Sequence, residues 1–404
     1  MKPDHLIWHD LDLSTLTPAY LGRFPGRDSK TRSIPFPVPS MRGVLAYWLR
    51  ALAGPYVGNS TEKLLEAETE VFGTAKDSRA ARPSRILLRA GRIEVGPPPE
   101  QPVSGEGYLM GPGLVDADEN GRWPRQLSPG AVPVRVRNLG RPYHADLFLA
   151  ALWALCTYGG LGSRSRRGFG TLVLGSPPDL PTARFDPSWF SSTTDALEDV
   201  LACTVAALAD LRIGPGPEFD GPTPYPCFAP GHYTVSQHRL KGRDASSALN
   251  EVGRFLRAFR HSREPDPGFV PSGPFVLPNT EGFRKIAEPH RRHQRPHGPF
   301  YDGALGLPVV YTEKGVDGSV TVEPLADGKA TRRASPLWLR VTAKDGQWLL
   351  RSLVFHAEWL PEQIGLQVKE DGRTRQVQKP NQTDVRVELD RWFTEADGQF
   401  GTGQ

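Results

Sequence analysis

The sequence predicts an α+β protein built of two ferredoxin-like (RRM-like, β-α-β-β-α-β) domains with loop insertions, residues 1–176 and 177–404. Three observations carry this. Up to Leu174, segments of helical period alternate with segments of period two in β-α-β-β-α-β order, the split βαβ arrangement. The 40 prolines and 42 glycines among 404 residues call for many turns and long loops, not a helical bundle. A twelve-residue stretch, Gly159-Gly160-Leu161-Gly162-Ser163-Arg164-Ser165-Arg166-Arg167-Gly168-Phe169-Gly170, separates an apolar helix from a short apolar strand.

The first strand is expected over 6–16, where Leu11 and Leu13 alternate with Asp10, Asp12 and Ser14. A long loop from Gly22 to Pro39 follows, carrying Arg23, Arg27, Lys30 and Arg32 against a single acid, Asp28. Loops of this length are commonly functional or disordered. A helix then starts at Ser40, a plausible N-cap. Met41, Val44, Leu45, Trp48, Leu49 and Leu52 form its apolar stripe, Arg42, Tyr47 and Arg50 lie off it, and Gly54-Pro55 is expected to end it. A second short helix is expected over Glu62–Val71, and strands around Gly91 within 84–95. A polar insertion rich in glycine and proline runs from about 96 to 130. Val132, Val134 and Val136 then alternate with Arg135 and Arg137, and the apolar run Leu147–Cys156 reads as a buried helix.

In the second half, helices are expected over Asp195–Leu211 and Ala248–His261, the latter with Arg254, Arg257 and Arg260 on one stripe. The proline-rich Gly214–Pro230 reads as a linker, and Arg284–Pro299 as a basic loop holding Arg291, Arg292, His290, His293 and His297. Strands are expected at Leu305–Thr312, Pro336–Thr342 and Trp348–Phe355, with Val385-Arg386-Val387 as a possible last strand.

Composition narrows function. The formal charge is only +4, so basicity matters by location. Cys156, Cys203 and Cys227 are too few and too scattered for a disulfide framework or a zinc knuckle. The start, Met1-Lys2-Pro3-Asp4-His5, has no signal-peptide core, and no apolar run approaches the roughly 20 residues of a membrane span. A cytoplasmic protein without membrane contact is expected.

The glycine stretch runs helix-loop-strand, which excludes a dinucleotide fingerprint or a P-loop, where phosphate sits on a following helix. Glycines allow close approach to the main chain and arginines supply forked donors for phosphate. Spacing alone divides evenly between a phosphate cradle and a tight solvated turn.

Taken with its context, the stretch resembles the signature loop of the RAMP superfamily of CRISPR-associated RNA-binding proteins: glycine-rich, then basic, then Gly168-Phe169-Gly170, at the end of a ferredoxin-like domain. Ser40-Met41-Arg42-Gly43 with the following Tyr47-Trp48-Leu49-Arg50 resembles the family's first helix, and Phe72-Gly73 the dipeptide after it. Arg332-Arg333-Ala334-Ser335-Pro336-Leu337 and Ala304–Pro308 fit as well. Over most of 6–360 the chain is similar to the end-cap RAMP subunit of the type III-B (Cmr) effector. The insertion at 96–130 and the tail 361–404 match nothing in that pattern.

The resemblance implies a non-catalytic subunit in antiviral defence with no cofactor or metal. It would bind guide (CRISPR) RNA near the 3′ end and target single-stranded RNA, beside other RAMP subunits. The residues expected to meet RNA are Arg23, Arg27, Lys30, Arg32, Arg42, Tyr47, Arg50, Gly159, Gly160, Gly162, Arg164, Arg166, Arg167, Arg254, Arg257, Arg291 and Arg292. Phosphate neutralisation by such clusters would make binding salt-dependent. Trp48 belongs to the core, whereas Tyr47 is free to stack on a base. Asp28, alone among arginines, reads as an ion-pair partner, although related backbone subunits rely on an aspartate in this loop to cut target RNA. The His290, His293 and His297 spacing hints at a metal, but Arg291, Arg292 and Arg295 would repel a divalent cation. The alternatives are a RAMP endoribonuclease cleaving guide precursor or target and, more weakly, a protein-interaction adaptor.

Overall fold

The computed structural model describes residues 7–21, 33–74, 81–94, 104–111, 114, 127–191, 196–261, 282–312 and 318–401. In the first half the elements are β1 (His9–Thr15), β2 (Ser33–Pro35), α1 (Val38–Val57), α2 (Thr61–Phe72), β3 (Ile86–Ala90), β4 (Arg92–Glu94), α3 (Ser104–Met110), β5 (Gly130–Asn138), α4 (Pro142–Tyr158) and β6 (Leu172–Leu174). The second half has α5 (Leu197–Asp210), β7 (Tyr233–Arg239), α6 (Ala245–His261), α7 (Glu288–Arg291), β8 (Val309–Thr312), β9 (Ser319–Ala326), β10 (Lys329–Ala330), β11 (Leu337–Lys344), β12 (Gln347–Phe355), β13 (Gly365–Glu370), β14 (Arg373–Val377) and α8 (Gln382–Phe400). The architecture is α+β with antiparallel sheets.

The first sheet runs β3-β5-β1-β6. Its alternation is that of the sequence: Leu11, Leu13, Val132, Val134 and Val136 are buried beneath α1 and α4, while Asp10, Asp12, Arg89 and Arg135 face out. The second sheet, β11-β12-β7, is buried on both faces. Trp338, Leu353 and Phe355 join one core with Trp48, Trp153 and Tyr158, whereas Leu339, Val341, Leu350 and Val354 join another with α6 and Trp392. The third sheet gathers β8, β9, β10, β13 and β14. The first core also takes in Leu180, Phe185, Val200, Leu208 and Phe228, from beyond residue 176.

Several elements depart from expectation. Helix α1 does not stop at Gly54-Pro55 but continues to Val57. Proline removes one helical donor, and the carbonyl it would leave unpaired, Ala51 O, accepts from Phe228 N at 3.0 Å. A Cβ at Gly54 would sit 2.4 Å from that of Cys227, so the glycine admits the docking segment 225–228. Val385–Val387 is not a strand. Val385, Leu389, Trp392 and Ala396 form the buried stripe of α8, with Val387 64% exposed on its far side. Part of the expected basic loop 284–299 is helical, a π turn at Phe283–Ala287 running into α7. Strands β7, β9, β13 and β14, and helix α3 inside the insertion, were not expected. Asp146, at the head of the apolar helix, is fully buried because its Oδ1 accepts from the backbone N–H groups of Ala183, Arg184 and Phe185 at 3.0–3.2 Å.

Candidate nucleic-acid interface at the glycine loop

The loop 159–170 is folded tightly on itself. Leu161 N donates to Gly170 O at 2.8 Å, Ser163 N to Tyr20 O at 2.7 Å and Gly170 N to Pro18 O at 2.8 Å. Its glycines serve close packing. Gly170 has φ +65, and a Cβ there would lie 1.9 Å from Leu161 O. At Gly162 (φ +88) the obstacle would be Tyr20 O at 2.5 Å, at Gly160 it would be Phe169 O at 2.8 Å, and at Gly159 the Trp48 indole nitrogen at 2.6 Å. Phe169 is fully buried against Tyr20 in the second core, and Leu339 N of β11 donates to Arg166 O at 3.1 Å. The loop therefore ties the first half of the chain to the second.

Two arginines hold the start of the loop from the far side. Arg340 donates to Gly159 O at 3.0 Å and to Leu172 O at 2.6 Å, and Arg351 donates to Thr157 O at 3.2 Å. These cations sit where the carbonyls ending α4 concentrate negative charge. Burial, reinforced by Arg351 and opposed by Cys156, pulls the Arg340 guanidinium down to about 9, so it remains charged at neutral pH. Both leave a trace in the sequence, since an arginine inside an otherwise apolar strand requires buried acceptors.

At the tip, the three expected RNA contacts also meet carbonyls. Arg164 Nε donates to Met110 O at 2.5 Å, Arg167 to Leu109 O at 3.3 Å, and Arg166 to Ser335 O. Arg164 and Arg167 thus meet the carbonyl end of α3. The Arg166 guanidinium lies 4.4 Å from the Trp338 ring and 5.6 Å from that of Tyr47. Tyr47 is held between Trp48 and Trp338, and its hydroxyl accepts from the Trp338 indole at 3.3 Å. Arg333 donates to Trp359 O at 2.7 Å and Glu358 O at 3.1 Å, and Arg332 is exposed.

Like charges crowd here. Burial first, then Arg164 and Arg260, pulls Arg167 down to about 10. Burial and Arg166 lower Arg333, and burial and Arg332 lower Arg164. Among the described residues, none of Arg166, Arg167, Arg332 and Arg333 forms an ion pair with a carboxylate.

The remaining expected residues are dispersed. Arg23, Arg27, Asp28, Lys30 and Arg32 lie outside the described residues. Arg42 is half-buried early in α1, and Arg50 pairs with Glu68. Arg254 is exposed and Arg257 half-buried on α6, which α3 crosses so closely that a Cβ on Gly253 would stand 1.9 Å from Gly105 O. Arg291 pairs with the buried Glu370 at 2.9 Å and Arg292 with Glu288 at 2.6 Å, both beside the third sheet. His290 is buried, and among the described residues no three His, Cys, Asp or Glu side chains form a metal-holding group. Arg332, Arg333, Arg340 and Arg351 are the site residues that sequence reasoning did not assign to RNA or to the loop.

Residues 12–173 match the family model described as the RAMP superfamily. Over 140 residues the chain is 34% identical to the CRISPR system Cmr subunit Cmr1-1 of Pyrococcus furiosus, covering 34% of this chain and 39% of that protein. Over 79 residues it is 38% identical to subunit Cmr1-2 of the same organism, covering 20% and 37%. The aligned stretches thus span well under half the length of these curated relatives. The crystal structure of apo Cmr1 from Pyrococcus furiosus shares the fold, with a TM-score of 0.54 at 18% identity over 96% of this chain and 97% of that one. Among the described residues no helix is long and apolar enough to cross a membrane. The match begins inside β1 and ends inside β6, so it takes in most of the first sheet and all of the glycine loop, and over these residues the chain is similar to the RAMP superfamily.

Proposed function

We propose that the chain is a non-catalytic RNA-binding subunit of a type III-B CRISPR effector, located in the cytoplasm. It would contact guide RNA near its 3′ end and target RNA, beside other RAMP subunits. The observation that carries RNA contact is the crowding of Arg166, Arg167, Arg332 and Arg333 around the glycine loop with no carboxylate partner among the described residues. A phosphate backbone laid along this rim would relieve their mutual repulsion. Resemblance to the Cmr1 subunits supports the assembly.

Two ferredoxin-like domains fit the topology. The first sheet has its second, third, first and fourth strands side by side. In the second, β7, α6, β11, β12 and α8 follow the same order, and the described residues provide no fourth strand beside β7.

The test is fluorescence anisotropy with single-stranded RNA across a salt series. Arg166→Ala with Arg333→Ala should weaken binding by about tenfold. The same pair should flatten the salt slope by roughly 1.4, about 0.7 for each phosphate no longer neutralised. Affinity and slope equal to wild type would reject this site. Labelled RNA incubated with the chain and magnesium should stay intact, and discrete products would instead favour the endoribonuclease.

A further inference from the structure

A second basic concavity lies away from the glycine loop. Arg239 ends β7, Lys241 and Arg243 follow in the turn into α6, and all three are exposed around an open cavity of about 510 Å³. Gly346 of the β11–β12 turn and Phe400 at the end of α8 complete its wall. Leu339, which pairs with the glycine loop, is seven residues from Gly346 along β11, roughly 20 Å at the rise of an extended strand.

Two of the nearby acids already accept backbone hydrogen bonds, while Asp345, beside Gly346, is exposed. Asp244 accepts from Ser247 N at 2.7 Å, and Glu251 accepts from Lys241 N at 2.8 Å and Gly242 N at 3.1 Å. Among the described residues, Arg239, Lys241 and Arg243 form no ion pair with a carboxylate. Phe400 is half-buried, its ring anchored by Phe255 at 5.0 Å and His238 at 5.8 Å. Three cations without an ion pair among the described residues, beside an anchored aromatic ring, offer donors suited to a phosphate and a face suited to a base. The volume falls within the range of small-molecule sites, about 300–1,000 Å³.

We propose that this cavity binds a nucleoside phosphate, with Arg239, Lys241 and Arg243 on the phosphate and the base against Phe400. The ligand is a free nucleotide or a nucleotide of a bound strand. In the second case the site rests on the RNA-binding function proposed above and extends the RNA path beyond the glycine loop.

The test titrates the full chain with adenosine monophosphate, inorganic phosphate and a labelled oligouridylate. The wild type is compared with a triple variant (Arg239→Ala, Lys241→Ala, Arg243→Ala) and with Phe400→Leu, all checked by thermal melting. The triple variant removes only surface side chains and should melt like wild type. The expected result is saturable binding of adenosine monophosphate that weakens about tenfold in both variants, as for loss of a base stack. Weakened mononucleotide binding with unchanged oligouridylate affinity identifies a free nucleotide. Weakened oligouridylate affinity without mononucleotide binding identifies a nucleotide within a strand. Inorganic phosphate competing as well as the mononucleotide, or variants equal to wild type with both ligands, would overturn the proposal. A wild type that binds the mononucleotide but no oligouridylate would reject the RNA-binding function and leave the pocket standing.

Discussion

Arginines at the two ends of the glycine loop donate to carbonyl oxygens, yet their surroundings set them apart. Arg340 and Arg351, 3% and 7% exposed, reach the end of α4 from within the second sheet. Arg166 and Arg333 are half-buried at the rim, where a ligand can add to or replace their carbonyl contacts. A guanidinium enclosed by protein has its acceptors fixed by the fold. One at the rim keeps donors for a polyanion, and its neighbours of like sign favour one.

The sharpest way to break this comparison is to remove Arg340. Arg340→Ala strands the carbonyls of Gly159 and Leu172 in a buried site. Hydrogen bonds to charged groups contribute about 1.5–3 kcal/mol each, so the loss should be on the order of 3 kcal/mol or more. Denaturant unfolding would measure it, and a change below about 1 kcal/mol would mean that the two arginine groups do not differ in kind. Gly170→Ala should come next. It forces a left-handed conformation that costs about 1–2 kcal/mol and drives a methyl group against Leu161 O. Thermal melting should fall, and RNA affinity should fall with it because the loop carries Arg166 and Arg167.

How much of this was legible in the sequence varies with how each segment is buried. β1 and β5 have one wet and one dry face, so their alternation exposed both the strands and the core side. Helix α8 was missed because its stripe is short and its surface polar, leaving Val385 and Val387 to look like a strand. β13 and β14 present charged residues outward and only every second residue inward, as in Leu366 and Val368. The glycine loop's position was legible, but the direction of its arginines was not. That direction depends on carbonyls from α3 and Ser335, 54 and 169 residues away in the chain. Arg340 and Arg351 were visible as cations in apolar strands, although their acceptors could be named only once α4 was placed against β11 and β12.

Acid separates the arginine clamps from the buried histidines. Burial holds His290 and His356 below the ordinary histidine value, with Asp390 partly offsetting this at His356 and Glu370 at His290. In the unfolded chain each titrates near 6.5, so below that pH the unfolded state takes up protons that the folded state refuses. Their contribution is complete above about 6.5 and is lost as pH falls through that value toward the folded ones, by at most about 1.4 kcal/mol per pH unit for each group. The arginines stay charged throughout this range. Melting temperature should therefore drop between about pH 7.5 and 5.5, and His290→Leu should flatten the dependence. An unchanged profile in that variant would assign the acid sensitivity elsewhere.

The smallest effect on stability belongs to Arg332, and it separates fold from function most cleanly. Arg332 is exposed and makes no hydrogen bond or ion pair among the described residues, and its charge lowers the neighbouring Arg164. Surface substitutions away from caps and buried networks usually stay within about 0.5 kcal/mol. Arg332→Ala should thus melt like wild type or slightly higher, since it removes a repulsion. If the rim holds RNA, the same variant should lower affinity for single-stranded RNA at low salt and reduce the slope of log K against log salt by about 0.7. Arg332→Lys should restore both, because a phosphate contact of this kind needs a charge and not a fork. Loss of affinity without loss of stability here, set against loss of stability at Arg340, would locate the boundary between the loop's two functions at the rim. Equal RNA affinity and slope in Arg332→Ala would move the RNA path off this side of the loop.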